Sequence, residues 1–527
     1  MKQLGPLDKK AVVLAAVLLC VVLLVNLGVQ PLRLEEPRRA MIAWEMMHPE
    51  GNLLVPTLTG DIYYNKPPVF NWLLILSFNL FNGPSEFAVR IISVLSFAGM
   101  VLLSFLAGRK YVGAQYGILL GLSFALASHI LFVFAGLGEI DSFYSLVSLC
   151  SIFSIFYFFE KRQIWPLFLV SWFFAAVGML TKGLPSVAFV ALTLLACFIY
   201  KKQWRKLFHP ASFAGGLLFL LIAGGYFYLY SLHGDPSGYL KQLLSESTQR
   251  TAAEKSFFQS VAHLFTFPPM LVGIAAPGSL LLIFCFRKGF WKDVRQNPFV
   301  EFCLIAFLVN IPVYWLSPGA RPRYMYMLLP LMLAVFVWFY VTAGEQQRLK
   351  HRLYRGFVLG LCGLASVAPL ALPFIPKLQF LLPQLWAQAA LLSAGMAIVF
   401  VLLLKKKLNP VVALALVTFL ARLGYGLTVL PGRAHEGNAH FHKQKALEVA
   451  KTINQAAVYR LDSSQIKFTT SFYLQAATGH ILHNRLQPDS SAWYLVTKDR
   501  LPDQKHRVFM QWESEGRQTL LVRFSGE

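Results

Sequence analysis

Long apolar runs alternate with short polar segments along most of the chain, and this pattern predicts a polytopic α-helical membrane protein. A helix needs about 20 apolar residues to cross the hydrocarbon core of a bilayer. Runs of about this length predict about thirteen spans, at residues 11–30, 88–108, 113–135, 142–159, 165–181, 185–200, 211–231, 269–286, 298–316, 324–342, 356–375, 386–404 and 410–430. Val29-Gln30-Pro31 follows the first run in place of a small-residue cleavage site, so we expect an uncleaved first span.

A polar segment, residues 31–87, follows the first span and contains paired acidic residues, adjacent arginines and a Lys-Pro-Pro turn. Each such charge would cost roughly 3 kcal/mol or more in hydrocarbon, so we expect the segment to lie in the polar layer beside the membrane. Apolar residues between Ala40 and Met47 recur near helical spacing and predict an interfacial helix.

The C-terminal segment, residues 431–527, is polar as well. A helical pattern at 443–457 and strand-like runs at 493–497 and 519–524 predict a small soluble α/β domain. We therefore divide the chain into a membrane domain, residues 1–430, which includes the first polar loop, and this C-terminal domain.

Cations predict the orientation of the spans. They gather at every second boundary, which the positive-inside rule assigns to the cytoplasm; these boundaries are Lys9-Lys10, Arg109-Lys110, Lys161-Arg162, Lys201–Lys206, Arg287–Arg295, Arg348–Arg355 and Lys405–Lys407. The N-terminus is then cytoplasmic. The first loop is then extracytoplasmic, and an odd number of spans places the C-terminal domain on the same side.

Composition agrees with this interpretation. The chain is 56% hydrophobic and 14% charged, which excludes an ordinary soluble protein. Its formal charge is +23, and most of the lysines and arginines cluster in short segments between apolar runs, as in membrane proteins. We therefore expect no nucleic-acid partner. The six cysteines all lie in apolar runs, and their spacing predicts neither a disulfide framework nor a zinc site.

Four carboxylates fall on the predicted outer face: Glu35 and Glu36 after the first span, and Glu139 and Asp141 between the third and fourth. Such groups could provide a general base for a hydroxyl nucleophile or bind a cation. The alternative for each is a solvated loop position.

Cations on the same face are Lys66, Lys182, Arg321 and Arg323. Lysine and arginine at this depth suit a phosphate group, which arginine can hold with two hydrogen bonds. Anchoring to lipid headgroups by snorkelling explains any one of them equally well. It explains the set less well, because the general cation bias favours the other face.

Five aromatic residues beside these charges could contact a sugar or a phosphate, or belong to an aromatic belt; they are Tyr63, Tyr64, Trp72, Tyr324 and Tyr326. The sequence contains no Walker loop, and no GxGxxG segment follows a strand. We therefore expect no soluble nucleotide as donor.

In order along the chain, these features are an acidic pair, Tyr-x-x-Lys-Pro-Pro, a second acidic turn, Thr-Lys-Gly and Arg-x-Arg-Tyr before Leu-Leu-Pro. In this order the sequence resembles the bacterial protein-mannosyltransferase-like GT-C glycosyltransferases and is similar to the lipid A aminoarabinose transferase type. The resemblance implies a GT-C fold and transfer of a sugar from a polyprenyl phosphate to an acceptor on the outer face.

Carried over by position, the resemblance makes Glu35, with its neighbour Glu36, the catalytic acidic position, and Asp141 the second. It makes Lys66 and Tyr63 the phosphate-binding pair, with Tyr324 preceding the late Leu-Pro stretch. Two departures stand out: the family commonly has Asp-Glu where this chain has Glu35-Glu36, and the aminoarabinose enzymes have glutamate where this chain has Asn65.

These features predict an inverting transfer in which Glu35 or Asp141 acts as base, while Lys66, Lys182 and Arg321 or Arg323 bind the donor phosphate. The partners are a polyprenyl-phosphate-linked sugar, membrane lipids, and a lipid, glycan or protein acceptor. No cofactor is required.

Three alternatives remain at this stage. A divalent ion could be held by Glu35, Glu139 and Asp141. A transporter or flippase would place charges at mid-span and show paired broken helices. A receptor or scaffold would leave the charges of the first loop unexplained.

Overall fold

The computed structural model describes residues 4–248, 257–344, 347–381, 384–514 and 516–525. α-Helices dominate the described residues. In chain order they are α1 Pro6–Leu24, α2 Glu36–Met47, α3 Val69–Leu80, α4 Glu86–Tyr111, α5 Ala114–Ala125, α6 Ile140–Glu160, α7 Ile164–Lys182, α8 Pro185–Tyr200, α9 Pro210–Phe219, α10 Gly225–Ser231, α11 Pro236–Thr248, α12 Phe257–Ile274, α13 Phe290–Val294, α14 Pro298–Asn310, α15 Pro312–Trp315, α16 Leu329–Val341, α17 Arg348–Val367, α18 Gln384–Leu404, α19 Pro410–His435, α20 Asn438–Thr452 and α21 Phe468–Thr478.

Tighter and wider helical turns extend or connect several of these helices. The 3-10 turns are Trp204–Phe208, Gly278–Cys285, Pro322–Leu328, Ala368–Phe374, Pro376–Leu381 and Lys498–Arg500, and the π-helical turns are Ile130–Phe134 and Leu220–Gly224. The strands are β1 Thr57–Leu58, β2 Asp61–Ile62, β3 Val458–Leu461, β4 Asn484–Arg485, β5 Trp493–Thr497, β6 His506–Ser514 and β7 Arg517–Phe524.

Ten helical stretches in the described part of the chain are long and apolar enough to cross a membrane, which confirms the prediction of a polytopic helical membrane protein. They are Glu86–Tyr111, Ile140–Glu160, Ile164–Lys182, Pro210–Ser231, Phe257–Ile274, Pro298–Trp315, Pro322–Val341, Arg348–Phe374, Gln384–Leu404 and Pro410–His435. The count of thirteen and the orientation stay predictions.

Two predicted runs have different bounds in the structure. The run at 269–286 was placed too late, because helix α12 begins at Phe257 and contains Pro268 and Pro269, residues that more often begin a helix than lie inside one. The run at 113–135 is not one helix, since α5 ends at Ala125 and a π-helical turn follows.

The chain forms two compact units. The first, called here the membrane unit, comprises Met1–Leu27, Ser93–Tyr228 and Leu240–Gly432. Nearly all residues of helix α16 are buried, which places this helix at the centre of the membrane unit. Helices α5 and α14 pack against it, and the Tyr116 hydroxyl of α5 donates a 2.6 Å hydrogen bond to the Ala334 carbonyl oxygen.

Helices α4 and α5 approach each other closely at Gly117. A Cβ atom there would lie 2.5 Å from the carbonyl oxygen of Phe105. Only glycine therefore permits this packing.

The second unit, called here the loop–tail unit, comprises Gly28–Ile92, Leu229–Tyr239 and Arg433–Glu527. Its five-stranded sheet has the order β4-β3-β5-β7-β6, with β3 parallel to β4 and β5 and β7 antiparallel to β5 and β6. The predicted strand at 493–497 coincides with β5, and the strand-like run at 519–524 lies within β7. The predicted helix at 443–457 is α20, which ends at Thr452 because Asn454 and Gln455 adopt left-handed φ values of 51° and 57°.

The first loop packs with the C-terminal segment in this unit, whereas the sequence analysis had grouped it with the spans. Helix α2, the predicted interfacial helix, contacts α21. Buried polar contacts join the two segments: the Leu32 amide donates to the Tyr473 hydroxyl at 2.8 Å, and Gln475 Nε2 donates to Glu45 Oε1 at 3.0 Å. Partners more than 400 positions apart leave no local pattern in the sequence.

Candidate active site

A cluster of four charged side chains forms in the membrane unit: Glu139, Asp141, Lys182 and Arg323. Glu139 precedes α6 and Asp141 lies in its first turn, where the helix dipole favours an anion. Lys182 is the last residue of α7, where the dipole favours a cation, and Gly183 follows with a φ of 101°. Glu139, Asp141 and Lys182 thus lie at the helix ends that stabilise their sign.

Ion pairs connect all four residues. Arg323 Nη1 lies 3.1 Å from Glu139 Oε2, and Arg323 Nε lies 3.2 Å from Asp141 Oδ2. Lys182 Nζ forms an ion pair with Asp141 Oδ1. The two carboxylates are 2% exposed, Lys182 is 6% exposed and Arg323 14%. Two anions and two cations therefore balance in a site nearly closed to solvent.

Aromatic groups surround the cations. Lys182 Nζ lies 4.0 Å from the ring centroid of Tyr324 and 5.0 Å from that of Tyr144. Tyr326 lies two residues beyond Tyr324, and its hydroxyl lies 2.9 Å from Nδ1 of His129. The predicted contact residue Tyr324 is therefore at the cluster. The predicted phosphate ligand Arg321 is exposed and forms no ion pair within the described ranges.

The other predicted residues lie in the loop–tail unit. Glu35 is the N-cap residue of α2, forms an ion pair with Arg38 and is 31% exposed. Glu36 is fully buried, and Arg90 binds both its carboxylate oxygens: Nε lies 2.7 Å from Oε1 and Nη2 lies 3.0 Å from Oε2. Arg90 also donates to the carbonyl oxygens of Gln30 and Pro31. The two adjacent glutamates thus have different surroundings.

Lys66 and the tyrosines near it follow in the same loop. Lys66 is buried, and its Nζ donates to the Asn65 carbonyl oxygen at 2.9 Å and to Asn65 Oδ1 at 2.7 Å. The Tyr63 hydroxyl accepts a 3.2 Å hydrogen bond from Arg39 Nη1, and its ring packs in an apolar cluster on α2. Tyr64 lies edge-on to Tyr239, with ring centroids 6.4 Å apart.

The structure thus joins Glu139, Asp141, Lys182, Arg323 and Tyr324 in one unit and places Glu35, Glu36, Tyr63, Tyr64 and Lys66 in the other. That both groups act on one donor stays a prediction. Within the described residues, no group of three or more histidine, cysteine, aspartate or glutamate side chains is arranged to hold a metal ion. A divalent ion at Glu35, Glu139 and Asp141 stays untested.

Sequence reasoning did not identify Arg90 and Tyr144 as neighbours of these residues. For Arg90 a signal was present: it is an arginine inside the predicted span at 88–108, and an ionisable residue within a span usually has a specific partner. Tyr144 carries no such signal, because a buried tyrosine is common in any core.

The chain is similar in sequence to known transferases. The family model described as dolichyl-phosphate-mannose-protein mannosyltransferase matches residues 65–226. An undecaprenyl phosphate-alpha-4-amino-4-deoxy-L-arabinose arabinosyl transferase of Pseudomonas savastanoi pv. phaseolicola is 28% identical over 334 residues, which cover 61% of this chain and 60% of that protein. An uncharacterized protein of Aquifex aeolicus is 27% identical over 309 residues, 59% of this chain and 68% of its own.

The fold is shared with a solved structure. The crystal structure of ArnT from Cupriavidus metallidurans bound to undecaprenyl phosphate matches 98% of this chain and 99% of its own, with a TM-score of 0.71 and 20% identity. The family model, the sequence relatives and the shared fold together support a GT-C glycosyltransferase. Within this class the chain is similar to the undecaprenyl-phosphate aminoarabinose transferases. Both the predicted resemblance and the predicted class of enzyme are confirmed.

Proposed function

We propose that the protein transfers a sugar from a polyprenyl phosphate to an acceptor on the periplasmic face of the inner membrane, such as lipid A, another envelope glycan or a protein. The observation that carries the proposal is the closed cluster of Glu139, Asp141, Lys182 and Arg323. It lies in a membrane unit of the GT-C class, and the ArnT of the same fold was crystallised with undecaprenyl phosphate. The chain spans about two thirds or less of several of the transferases it matches, and nothing in it identifies the sugar.

The reaction is a displacement at the anomeric carbon. An oxygen of the acceptor attacks this carbon, the bond from the carbon to the phosphate oxygen breaks, and polyprenyl phosphate leaves with the bonding electrons. A carboxylate accepts the acceptor's proton, and cations stabilise the charge that develops on the leaving phosphate. Because the leaving group is already activated, the step needs no nucleotide.

The ion pairs of the cluster suggest how its residues participate. In the structure, Asp141 is paired with both Lys182 and Arg323. A donor phosphate that binds these cations competes with the carboxylate for them. Asp141 can then hydrogen-bond the acceptor's hydroxyl, because the substrate has taken over its positive neighbours. Binding of the donor would thereby prepare the base.

In the first loop the surroundings favour Glu35 over Glu36 as the acting carboxylate. Both oxygens of Glu36 are held by Arg90, and Oε2 also accepts from the Arg33 amide at 3.0 Å. Glu35 is partly exposed, and its partner Arg38 is a neighbour at i+3, a kind of pair that is weak and easily exchanged.

Transfer by purified protein from a polyprenyl-phosphate sugar tests the proposal. Glu35→Gln, Asp141→Asn and Lys66→Met should each lower turnover by about a hundredfold or more. Glu448→Gln, at a half-exposed carboxylate of α20, is the control and should not change turnover. Near-normal turnover in all three variants would end the proposal. A wild-type protein that moves the donor lipid across a vesicle membrane without consuming the sugar would support the flippase alternative.

A further inference from the structure

Arg422 is a charged residue in the middle of helix α19, a span of the membrane unit, and it is 3% exposed. No carboxylate among the described residues forms an ion pair with it. Snorkelling to the bilayer surface does not explain it, because a snorkelling side chain exposes its charged end. An ionisable residue buried in a span calls for a specific partner.

The contacts of the Arg422 guanidinium satisfy only part of its hydrogen-bonding capacity. Arg422 Nε donates a 3.0 Å hydrogen bond to the carbonyl oxygen of Leu131, and the Tyr425 ring centroid lies 5.1 Å from Cζ. Leu131 belongs to the π-helical turn Ile130–Phe134, and such turns are frequent at functional sites. Nη1 is buried and has no hydrogen-bond partner in the part of the chain that the structure describes.

A carbonyl oxygen needs one N–H donor and no positive charge. A neutral glutamine could cap Leu131, so the capping role does not explain an arginine at this position. The charge and the unpaired Nη1 together indicate an anion that the chain itself does not supply.

Two neighbouring segments show where the guanidinium lies in the membrane unit. A Cβ atom added to Gly136 would lie 3.7 Å from Arg422 Nη2, so a residue without a side chain borders the group. One turn later on α19, the Gly426 carbonyl oxygen accepts a 2.9 Å hydrogen bond from Asn26 Nδ2, just beyond the end of α1. Arg422 therefore lies one helical turn from a contact with Asn26, at the end of α1 that is predicted to face outside.

We propose that Arg422 binds the phosphate of a membrane lipid. Phosphate matches the planar fork of donors on arginine, which can hold it with two hydrogen bonds. Two lipids carry this chemistry: a polyprenyl phosphate, in which case the site rests on the proposed function, and an anionic phospholipid of the bilayer, in which case it does not.

Direct lipid binding to the full-length, delipidated protein tests the inference. Native mass spectrometry would count bound undecaprenyl phosphate, undecaprenol and dioleoylphosphatidylglycerol on wild type, Arg422→Gln and Arg422→Lys. Glutamine keeps a donor for Leu131 and removes the charge. It should weaken binding of one phosphate lipid per chain by about tenfold or more and leave undecaprenol unchanged. Arg422→Lys keeps the charge, so its binding of the phosphate lipid should weaken less than that of Arg422→Gln.

Arg355→Gln is the matched control, because Arg355 also donates to a helix carbonyl oxygen, that of Leu403, from α17. It should bind all three lipids as wild type does. Loss confined to undecaprenyl phosphate assigns the site to the polyprenyl carrier, and loss of phosphatidylglycerol assigns it to a bilayer lipid.

Equal binding of both phosphate lipids by wild type and Arg422→Gln would overturn the inference. If Arg422→Gln does not fold, the comparison of wild type with Arg422→Lys tests the inference instead. A wild-type protein that binds the phosphate lipids no better than undecaprenol would also overturn the inference. Because binding is measured without transfer, a failure of the proposed function leaves this result interpretable.

Discussion

The Nε atom of Arg323 lies 3.2 Å from Oδ2 of Asp141 in the interior of the membrane unit. The same guanidinium lies 3.1 Å from Glu139 through Nη1, so one planar group restrains two carboxylates that would otherwise repel each other. This restraint holds Asp141 in a fixed position near Lys182, which is what a base or an electrostatic switch at this position needs.

Removing the guanidinium should damage both stability and transfer. Arg323→Gln leaves Glu139 and Asp141 with Lys182 as their one cation within the cluster, and breaking a buried ion pair typically costs about 3–5 kcal/mol. We expect a lower unfolding temperature and about a hundredfold slower transfer. Arg323→Lys keeps the charge without the planar fork, so its unfolding temperature and its rate of transfer should lie between those of wild type and Arg323→Gln. Arg321→Gln, at the exposed arginine, should leave the unfolding temperature unchanged; an Arg323→Gln variant as stable as wild type would contradict the ion-pair arrangement.

Glu35 and Glu36 should separate into a chemical and a structural role. Glu36→Gln leaves the buried Arg90 without its counter-charge, so we expect a lower unfolding temperature and loss of activity only in proportion to loss of folded protein. Glu35→Gln loses a partly exposed ion pair and should unfold within a degree or two of wild type, while turnover falls. Thermal unfolding and turnover measured on the same preparations decide this. Normal turnover in Glu35→Gln would assign no chemistry to that carboxylate.

The fold class could be predicted because hydrophobic runs of span length are a direct consequence of the bilayer. The charges at Glu139, Asp141, Lys182 and Arg323 could be predicted as candidates for a related reason: a charge at the end of an apolar run is costly enough to need an explanation. The pairing of Arg323 with both carboxylates could not, because it depends on how the 3-10 turn Pro322–Leu328 packs on α6.

The packing of the first loop against the C-terminal segment could not be predicted either. Its contacts include single hydrogen bonds between distant residues, such as that of the Leu32 amide to the Tyr473 hydroxyl. Neither residue differs from an ordinary apolar or aromatic position in its local sequence. The difference in surroundings between Glu35 and Glu36 has the same origin, since it depends on Arg90.

Glu45 should make the stability of the loop–tail unit depend on pH. Burial raises the pKa of Glu45 above 4.5, although hydrogen bonds from Gln475 and the amides of Gly60 and Thr59 favour the ionised form. The folded protein therefore holds this proton at pH values where the unfolded chain has released it. The resulting stabilisation is complete below the unfolded pKa and is lost as pH rises through the folded pKa.

Glu45→Gln, which cannot ionise, should therefore gain stability relative to wild type as the pH rises from 4.5 towards neutrality. Unfolding temperatures of both proteins across this range measure the effect. Glu448→Gln, at a half-exposed carboxylate, serves as the control and should follow wild type. A difference between Glu45→Gln and wild type that stays constant with pH would contradict the prediction.

The hydroxyl of Tyr473 should hold the start of the first loop in place. It accepts from the buried Leu32 amide and donates to Glu86 Oε1, both at 2.8 Å. Tyr473→Phe leaves that amide buried without an acceptor, which should cost about 1–3 kcal/mol and speed hydrogen exchange at the Leu32 amide. Tyr459→Phe is the matched control, because phenylalanine keeps the ring, whose centroid lies 3.5 Å from Cζ of Arg485. Because Glu35 follows Leu32 by three residues, turnover should fall in Tyr473→Phe and not in Tyr459→Phe. Unchanged exchange at Leu32 would show that the C-terminal segment does not position the loop.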